Sequence, residues 1–432
     1  MISSLLGRVY AGGLLVIFGL IVLHAPLTVF LGTQFPTYDL LLKSWKEILM
    51  ALLIPVAILY VSQNHAWRHF LKDPIIWFLG GYAVMHFILL ALLYQGSAPT
   101  LAGLAVDLRY TFFFTLVYGL LRITPQYRKL FLRVGLIGAG IVISFGVLQL
   151  FLPADILTHI GYGSHTIAPY LTVDDNPAFI RINSTLRGPN PLGIYTVIIL
   201  VMLFALWVRG KITSRRNQLL AFLLGLGSLV VLWVTYSRSA LIAALIGAAV
   251  VALMRYGKAV NRWVWGAGVA VLLIGAGVVY AVRESDFVSN VILHNSASTG
   301  ASVTSDEQHA SSLIDGLRLM LQQPLGAGIG STGSASLQGA HPLVIENQYL
   351  FIAHEVGWLG LVIFLALFIL IIKRLWHTRS DWVALGVLAS GIGIGIVGLL
   401  QPVWVDDTVS IIWWGLAAVA LSKEGMYAKK TE

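Results

Sequence analysis

The chain is a succession of apolar runs close to 20 residues long, separated by short polar connections, and this pattern leaves few folds open. A helix needs about 20 such residues to cross a bilayer, because in hydrocarbon the backbone must satisfy its own hydrogen bonds. Twelve runs qualify, near residues 10–32, 46–62, 75–95, 103–121, 134–152, 190–208, 217–234, 239–254, 263–281, 347–372, 382–400 and 404–421. The polar island Thr235-Tyr236-Ser237-Arg238-Ser239 alone divides the seventh from the eighth. Charged residues make up 11% of the chain, against about 25% in soluble domains. The expected fold is an all-α polytopic membrane protein of about 12 transmembrane helices, with residues 1–432 forming a single integral membrane domain.

The 28 basic residues test that layout, since cytoplasmic connections retain Lys and Arg. All but Lys43, Lys46, Arg109, Arg181, Arg187, Arg238, Arg283 and Arg318 fall on one set of alternate connections. Both termini are therefore expected in the cytoplasm, with an even number of spans. The other face then carries the island and two extracytoplasmic loops, at 153–189 and, between spans nine and ten, at 282–345. The second loop is large and expected to be helical in part. Its apolar positions 313, 314, 317, 320 and 321 share one helical face and predict a helix lying on the membrane surface.

Several classes of function find no support. The chain has no cysteine, which excludes disulfides, thiolate metal ligands and a Cys nucleophile. The first apolar run lacks an A-x-A-like cleavage site and reads as a span, not as a removable signal. The net charge of +9 forms no patch interleaved with aromatics in a soluble domain, so nucleic acid is not an expected partner. The motifs G-x-S-x-G and H-E-x-x-H are absent, and no cofactor is expected. The adjacent carboxylates Asp174-Asp175, Asp306-Glu307 and Asp406-Asp407 read as solvated loop or helix ends, and no metal site is expected.

Four stretches carry polar groups that invite chemistry. In Arg181-Ile182-Asn183-Ser184-Thr185-Leu186-Arg187-Gly188-Pro189-Asn190 the basic side chains precede a helix start, where free amides favour an anion. The competing reading is that Arg187 touches lipid phosphate. Arg238 interrupts a long apolar stretch, so it must snorkel, pair with a carboxylate or bind a ligand anion. His341 to Leu350 closes the large loop, and there Glu346 or His341 is a candidate proton acceptor while Asn347 and Tyr349 are candidate accessory groups. A helix cap is the plain alternative for Glu346 and Asn347. His354 and Glu355 read as helix packing or a buried polar pair. His309, ahead of the amphipathic pattern, is a further accessory candidate.

In their order and spacing these residues resemble the O-antigen ligase and O-antigen polymerase superfamily of bacterial membrane glycosyltransferases, over roughly residues 140–400. The resemblance rests on Arg-x-x-Ser-Thr-x-x-x-Pro-Asn at Arg181 to Asn190 and on Tyr-Ser-Arg-Ser at 236–239. It rests also on Pro-Leu-Gly-x-Gly at 324–328 and on Glu346-Asn347-x-Tyr349-Leu350 followed by Glu355-x-Gly357-x-x-Gly360-Leu361. It implies an inverting, metal-independent transfer of a glycan from a polyprenyl diphosphate carrier to a glycan or glycolipid acceptor hydroxyl. The implied site lies on the extracytoplasmic face of the bacterial inner membrane. By the same resemblance Arg181 and Arg238 hold the diphosphate, with Arg187 assisting. Ligases resemble one another in a histidine directly before the asparagine of this motif, where this chain has Glu346. That difference shifts weight toward a polymerase-like or other glycan transferase. A transporter or flippase of an anionic lipid or solute is the alternative, in which the same arginines bind phosphate without chemistry.

Overall fold

The structure is a computed structural model that describes residues 5–173, 176–210, 212–257 and 305–422, with positions 280–282, 285 and 288–289 between the last two stretches. Apart from those few positions, the expected ninth span and the first part of the large loop lie outside the described residues. Within the described residues, nine helical segments are long and apolar enough to cross a membrane, and the two shorter apolar helices Trp382–Val397 and Asp407–Leu421 follow them. Each overlaps an expected run, with ends that differ by up to nine residues, as at Pro125 against the expected 134.

The first segment holds α1 (Leu5–Leu20) and α2 (His24–Gln34), joined by a 3₁₀ turn at Ile21–Leu23. Pro26 has no amide to offer the Val22 carbonyl, so the helical ladder tightens ahead of it. Next come α3 (Asp39–Lys43), α4 (Trp45–Gln63), α5 (Trp67–Phe70), α6 (Pro74–Leu92), α7 (Ser97–Ile123) and α8 (Arg128–Leu148). A hairpin of β1 (Leu171–Val173) and β2 (Asn176–Arg181) precedes α9 (Pro189–Val208), α10 (Arg215–Val234) and α11 (Arg238–Tyr256). After the gap stand α12 (Ser305–Gln322), α13 (Gly333–Ser336), α14 (Gln348–His377), α15 (Trp382–Val397) and α16 (Asp407–Leu421).

The hairpin is the one strand pair among the described residues of an otherwise helical chain. Its strands pair antiparallel, Leu171 opposite Arg181 and Thr172 opposite Ile180, while the adjacent carboxylates Asp174-Asp175 lie outside the described residues. Thr, Val, Ile and Phe suit a pleated ribbon better than a helix, and the pairing fixes where Arg181 leaves the strand.

Helix α16 is buried along its whole length and forms the middle of the bundle. Around it Trp404, Trp413, Trp414 and Phe368 interlock, with ring centroids 5.1 Å apart for Trp404–Trp413 and 5.5 Å for both Trp413–Trp414 and Phe368–Trp413. Such offset and edge-on pairs supply dense contact where hydrophobic exclusion from water is not available. Small residues bring α9, α11 and α15 close. A Cβ on Gly393 would lie 2.5 Å from the Ala243 carbonyl oxygen, so backbone meets backbone there.

The two ends of the bundle differ in chemistry. At one end Arg374 bridges Asp73 at 2.5 and 2.9 Å, the Tyr118 hydroxyl donates to Asp73 at 2.6 Å, Arg128 pairs with Asp381, and Arg209 donates to the Arg379 carbonyl at 2.8 Å. Burial pushes the Asp73 carboxyl up, but its bonds from Arg374 and Tyr118 outweigh burial and hold it below the ordinary carboxylate range. At the other end lie the connections after α2, α6, α8, α10 and α15, together with residues 305–347. Helix α12 extends the predicted amphipathic pattern. Its Gly316 face packs on Leu350 and Ile345, while Ile314, Leu317 and Leu321 stay exposed.

Candidate functional site

The polar end is held together by an interlocked joint of glycines. Helix α14 breaks at Gly357, whose φ of 70° and ψ of −176° only glycine adopts readily. The break frees the carbonyls of His354 and Glu355, which accept from the amides of Ala327 at 2.6 Å and Gly328 at 3.2 Å. In return the Trp358 amide donates to the Pro324 carbonyl at 2.9 Å. A Cβ on Gly357 would lie 2.6 Å from the Leu325 carbonyl carbon, and one on Gly326, at φ +83°, would lie 2.7 Å from the Gly357 nitrogen. The Pro324 to Gly328 turn and the Glu355 to Gly357 kink are therefore two halves of one contact. Glu355 is buried beneath it, accepting from the Thr332 amide at 3.2 Å and facing the carboxyl of Asp107, which in turn lies 3.4 Å from His86 Nε2. His354 and Glu355 are both buried, and the polar neighbour of Glu355 is Asp107 of α7, which the sequence did not indicate.

A second junction assembles three stretches that are far apart in sequence. Arg181, at the end of β2, donates from Nε to the Thr235 carbonyl at 2.8 Å and from Nη2 to Asn190 Oδ1 at 2.6 Å. This joins the hairpin to the start of α9 and to the island before α11. Tyr236 sits at φ +49°, a turn conformation, with its ring edge-on to Phe179 of β2 at 6.1 Å. Gly193 of α9 lets the island approach, since an added Cβ would lie 3.2 Å from Ser237 Cβ. Arg238 opens α11 directly after Ser237, half-buried, and Ser239 accepts from Gln401 Nε2 at 3.3 Å. Arg181 and the Arg238 island are therefore neighbours.

A cavity of about 280 Å³ opens beside this junction. Arg187, Asn190 and Pro191 form one wall, Gly333, Ser334, Val344 and Ile345 another, and Gln401, Pro402, Val403, Val405 and Asp406 the floor. Arg187 is exposed at its edge, whereas Asp406 is buried within it and caps α16 by accepting from the Val409 amide at 2.9 Å. Burial, and then the neighbouring Asp407, push the Asp406 carboxyl up, while Arg187 pulls it back.

Glu346 follows the wall residues Val344 and Ile345, and its amide is held by the Ser312 hydroxyl of α12 at 2.8 Å. His341 lies on the exposed part of the segment, five residues earlier. Asn347 is the cap of α14: its Oδ1 accepts from the amides of Tyr349 and Leu350 at 2.9 and 3.0 Å, and its Nδ2 donates to the Leu399 carbonyl at 2.8 Å. The Tyr349 hydroxyl donates to the Gly395 carbonyl at 2.5 Å. Both side chains thus brace α14 against α15. His309 falls in α12, but its side chain is outside the described residues.

The reading of Asp406-Asp407 as a solvated helix end does not hold, because both are buried. Asp407 is enclosed by Lys46 Nζ at 2.8 Å, Arg109 Nη1 at 3.0 Å and His24 Nε2 at 3.0 Å. The signal was present in the sequence: Lys46 and Arg109 are two of the few basic residues that break the alternation of charge. Among the described residues no three His, Asp or Glu side chains group as a metal site requires.

Residues 220–365 match the family model described as O-antigen ligase, and no curated protein matches the chain. The matched third of the chain holds the Arg238 island, the Pro324 to Gly328 turn, Glu346 and the Gly357 break, while Arg181 and Arg187 precede it. The chain is thus similar to O-antigen ligases over residues 220–365, and this likeness supports the O-antigen ligase and polymerase superfamily.

Proposed function

We propose that the chain is an inverting, metal-independent glycosyltransferase that moves a glycan from a polyprenyl diphosphate carrier to an acceptor hydroxyl. It would work at the extracytoplasmic face of a bacterial inner membrane, with both termini in the cytoplasm. The observation that carries this reading is the pair of hydrogen bonds from Arg181 to Thr235 and Asn190. They gather Arg181 and the Arg238 island beside Asn190, which together with Arg187 lines the adjacent cavity.

Arg187 lines the cavity, and the guanidinium groups of Arg181 and Arg238, brought from the neighbouring junction, would match the chemistry of a diphosphate, whose oxygens take paired N–H donors. The cations would stabilise the negative charge that grows on the leaving diphosphate as the anomeric C–O bond breaks. The acceptor oxygen attacks the anomeric carbon from the opposite side and loses its proton to a base, so the new glycosidic bond has inverted configuration. Glu346 is the base in this reading, because it directly follows the cavity wall at Val344 and Ile345; His341 is the second candidate.

The base assignment has a direct test. Glu346→Gln should lower the transfer rate on the order of 10²–10⁴-fold, the usual contribution of a positioned proton acceptor, with donor affinity little changed. His341→Ala should leave the rate near that of the parent. Transfer measured with a fluorescent polyprenyl diphosphate glycan would decide it, and the opposite pattern would move the role to His341. Full activity in the presence of a chelator is expected, and loss under the chelator would contradict metal independence.

A further inference from the structure

A second cavity, of about 540 Å³, lies beyond the first and shares Arg187 and Ser334 with it. Its volume is within the range of about 300–1,000 Å³ that holds small-molecule ligands. Its walls come mainly from α2, the α2–α4 connection, α4 and α7, with His165 to Ile167 closing one side. None of that framework lies within the residues matched to the family model.

Apart from Arg187 at its edge, its surface carries charge in balanced pairs. Lys46 and Arg109 are buried and matched by Asp407 at 2.8 and 3.0 Å, and Lys46 also reaches Glu47 at 3.3 Å. At the rim Lys43 pairs with Asp39 at 2.7 Å. An anion entering here would have to draw Lys46 and Arg109 away from a buried carboxylate, which leaves an uncompensated charge in a dry site. A neutral ligand rich in hydroxyls needs no such exchange. It meets donors from the cations and acceptors from the carboxylates, and sugar hydroxyls do both.

We infer that this cavity binds a neutral, hydroxyl-rich portion of the acceptor glycan, with Arg187 at the boundary between it and the diphosphate site. The inference builds on the glycosyltransferase reading for the name of the ligand, while the cavity and its charge balance stand apart from that reading.

The absence of cysteine provides a clean test. Single cysteines are introduced as Ala105→Cys and Ala102→Cys in the second cavity and as Val344→Cys in the first. Their reaction with a water-soluble maleimide is timed in the full-length protein. The probes are inorganic pyrophosphate and the neutral and acidic oligosaccharide fractions released by mild acid from the envelope of the producing cell. Either alanine site suffices, the one used being that whose variant elutes as the parent does. The neutral fraction should slow labelling there about five-fold or more at saturating concentration, while pyrophosphate slows only Val344→Cys. Protection of the alanine sites by pyrophosphate or by the acidic fraction alone, or unchanged labelling with the neutral fraction, would overturn the inference. Protection by neutral glycan with no effect of pyrophosphate at Val344→Cys would uphold the sugar site and remove the diphosphate reading.

Discussion

Arg181→Ala is expected to abolish measurable glycan transfer, with a fall in rate on the order of 10²–10³-fold, as when one charge-stabilising donor is removed from a leaving or developing anion. Two effects act together. The guanidinium is lost from the proposed diphosphate site, and the hydrogen bonds that hold the β2 end to Thr235 and Asn190 go with it. Arg181→Lys separates them. Lysine keeps the charge but cannot span two partners with a planar fork, so its activity should stay low while binding of pyrophosphate survives in part. The assay is release of polyprenyl diphosphate from a glycan-bearing donor, read beside the thermal unfolding midpoint in detergent. Arg181→Ala protein with an unchanged midpoint and activity within about two-fold of the parent would remove Arg181 from the site.

The largest expected effect on stability is that of Gly357→Ala. The residue would have to hold a backbone conformation that costs on the order of 1–3 kcal/mol for a side-chain-bearing residue. Its Cβ would also press into the Leu325 carbonyl carbon from 2.6 Å. Neither side of that contact can retreat cheaply, because both are backbone tied by the Ala327, Gly328 and Trp358 hydrogen bonds. A fall of several degrees in the unfolding midpoint is expected, with the turn and the start of α14 exchanging amide hydrogens faster. Gly80→Ala is the control, since a Cβ there meets nothing within 4 Å. Equal midpoints for Gly357→Ala and the parent would show that the joint is not under the constraint described.

The helices were legible in the sequence because hydrocarbon leaves an apolar run of this length almost no alternative. Even the island at 235–239 marked its boundary correctly, with α10 ending at Val234 and α11 beginning at Arg238. The hairpin at 171–181 was not legible, since three- and six-residue strands in a polar loop give little periodic signal. The Pro324 to Gly328 turn was readable as a turn, but its partner was not. That the glycines at 326 and 357 serve one contact depends on backbone approach between segments some 30 residues apart, which no local pattern encodes. Asn347 illustrates a different gap. Its position before a new apolar run fits a cap and an active-site amide equally well, and only the three hydrogen bonds of the folded chain reveal the cap. Asp407 was missed for the opposite reason. Adjacent carboxylates before a helix usually face water, and here Lys46, Arg109 and His24 arrive from the first third of the chain to enclose one of them.

The measurement that bears most directly on the whole account is mass spectrometry of lipid-linked glycans and their acceptors. The cells compared would have the gene intact, deleted, and restored with either the parent sequence or Arg181→Ala. Deletion should leave unprocessed glycan on the polyprenyl diphosphate carrier and remove a specific transferred or lengthened product. The parent sequence should restore that product, and Arg181→Ala should not. Identical carrier-linked glycans and acceptors with and without the gene would contradict the assignment of glycan transfer to this chain.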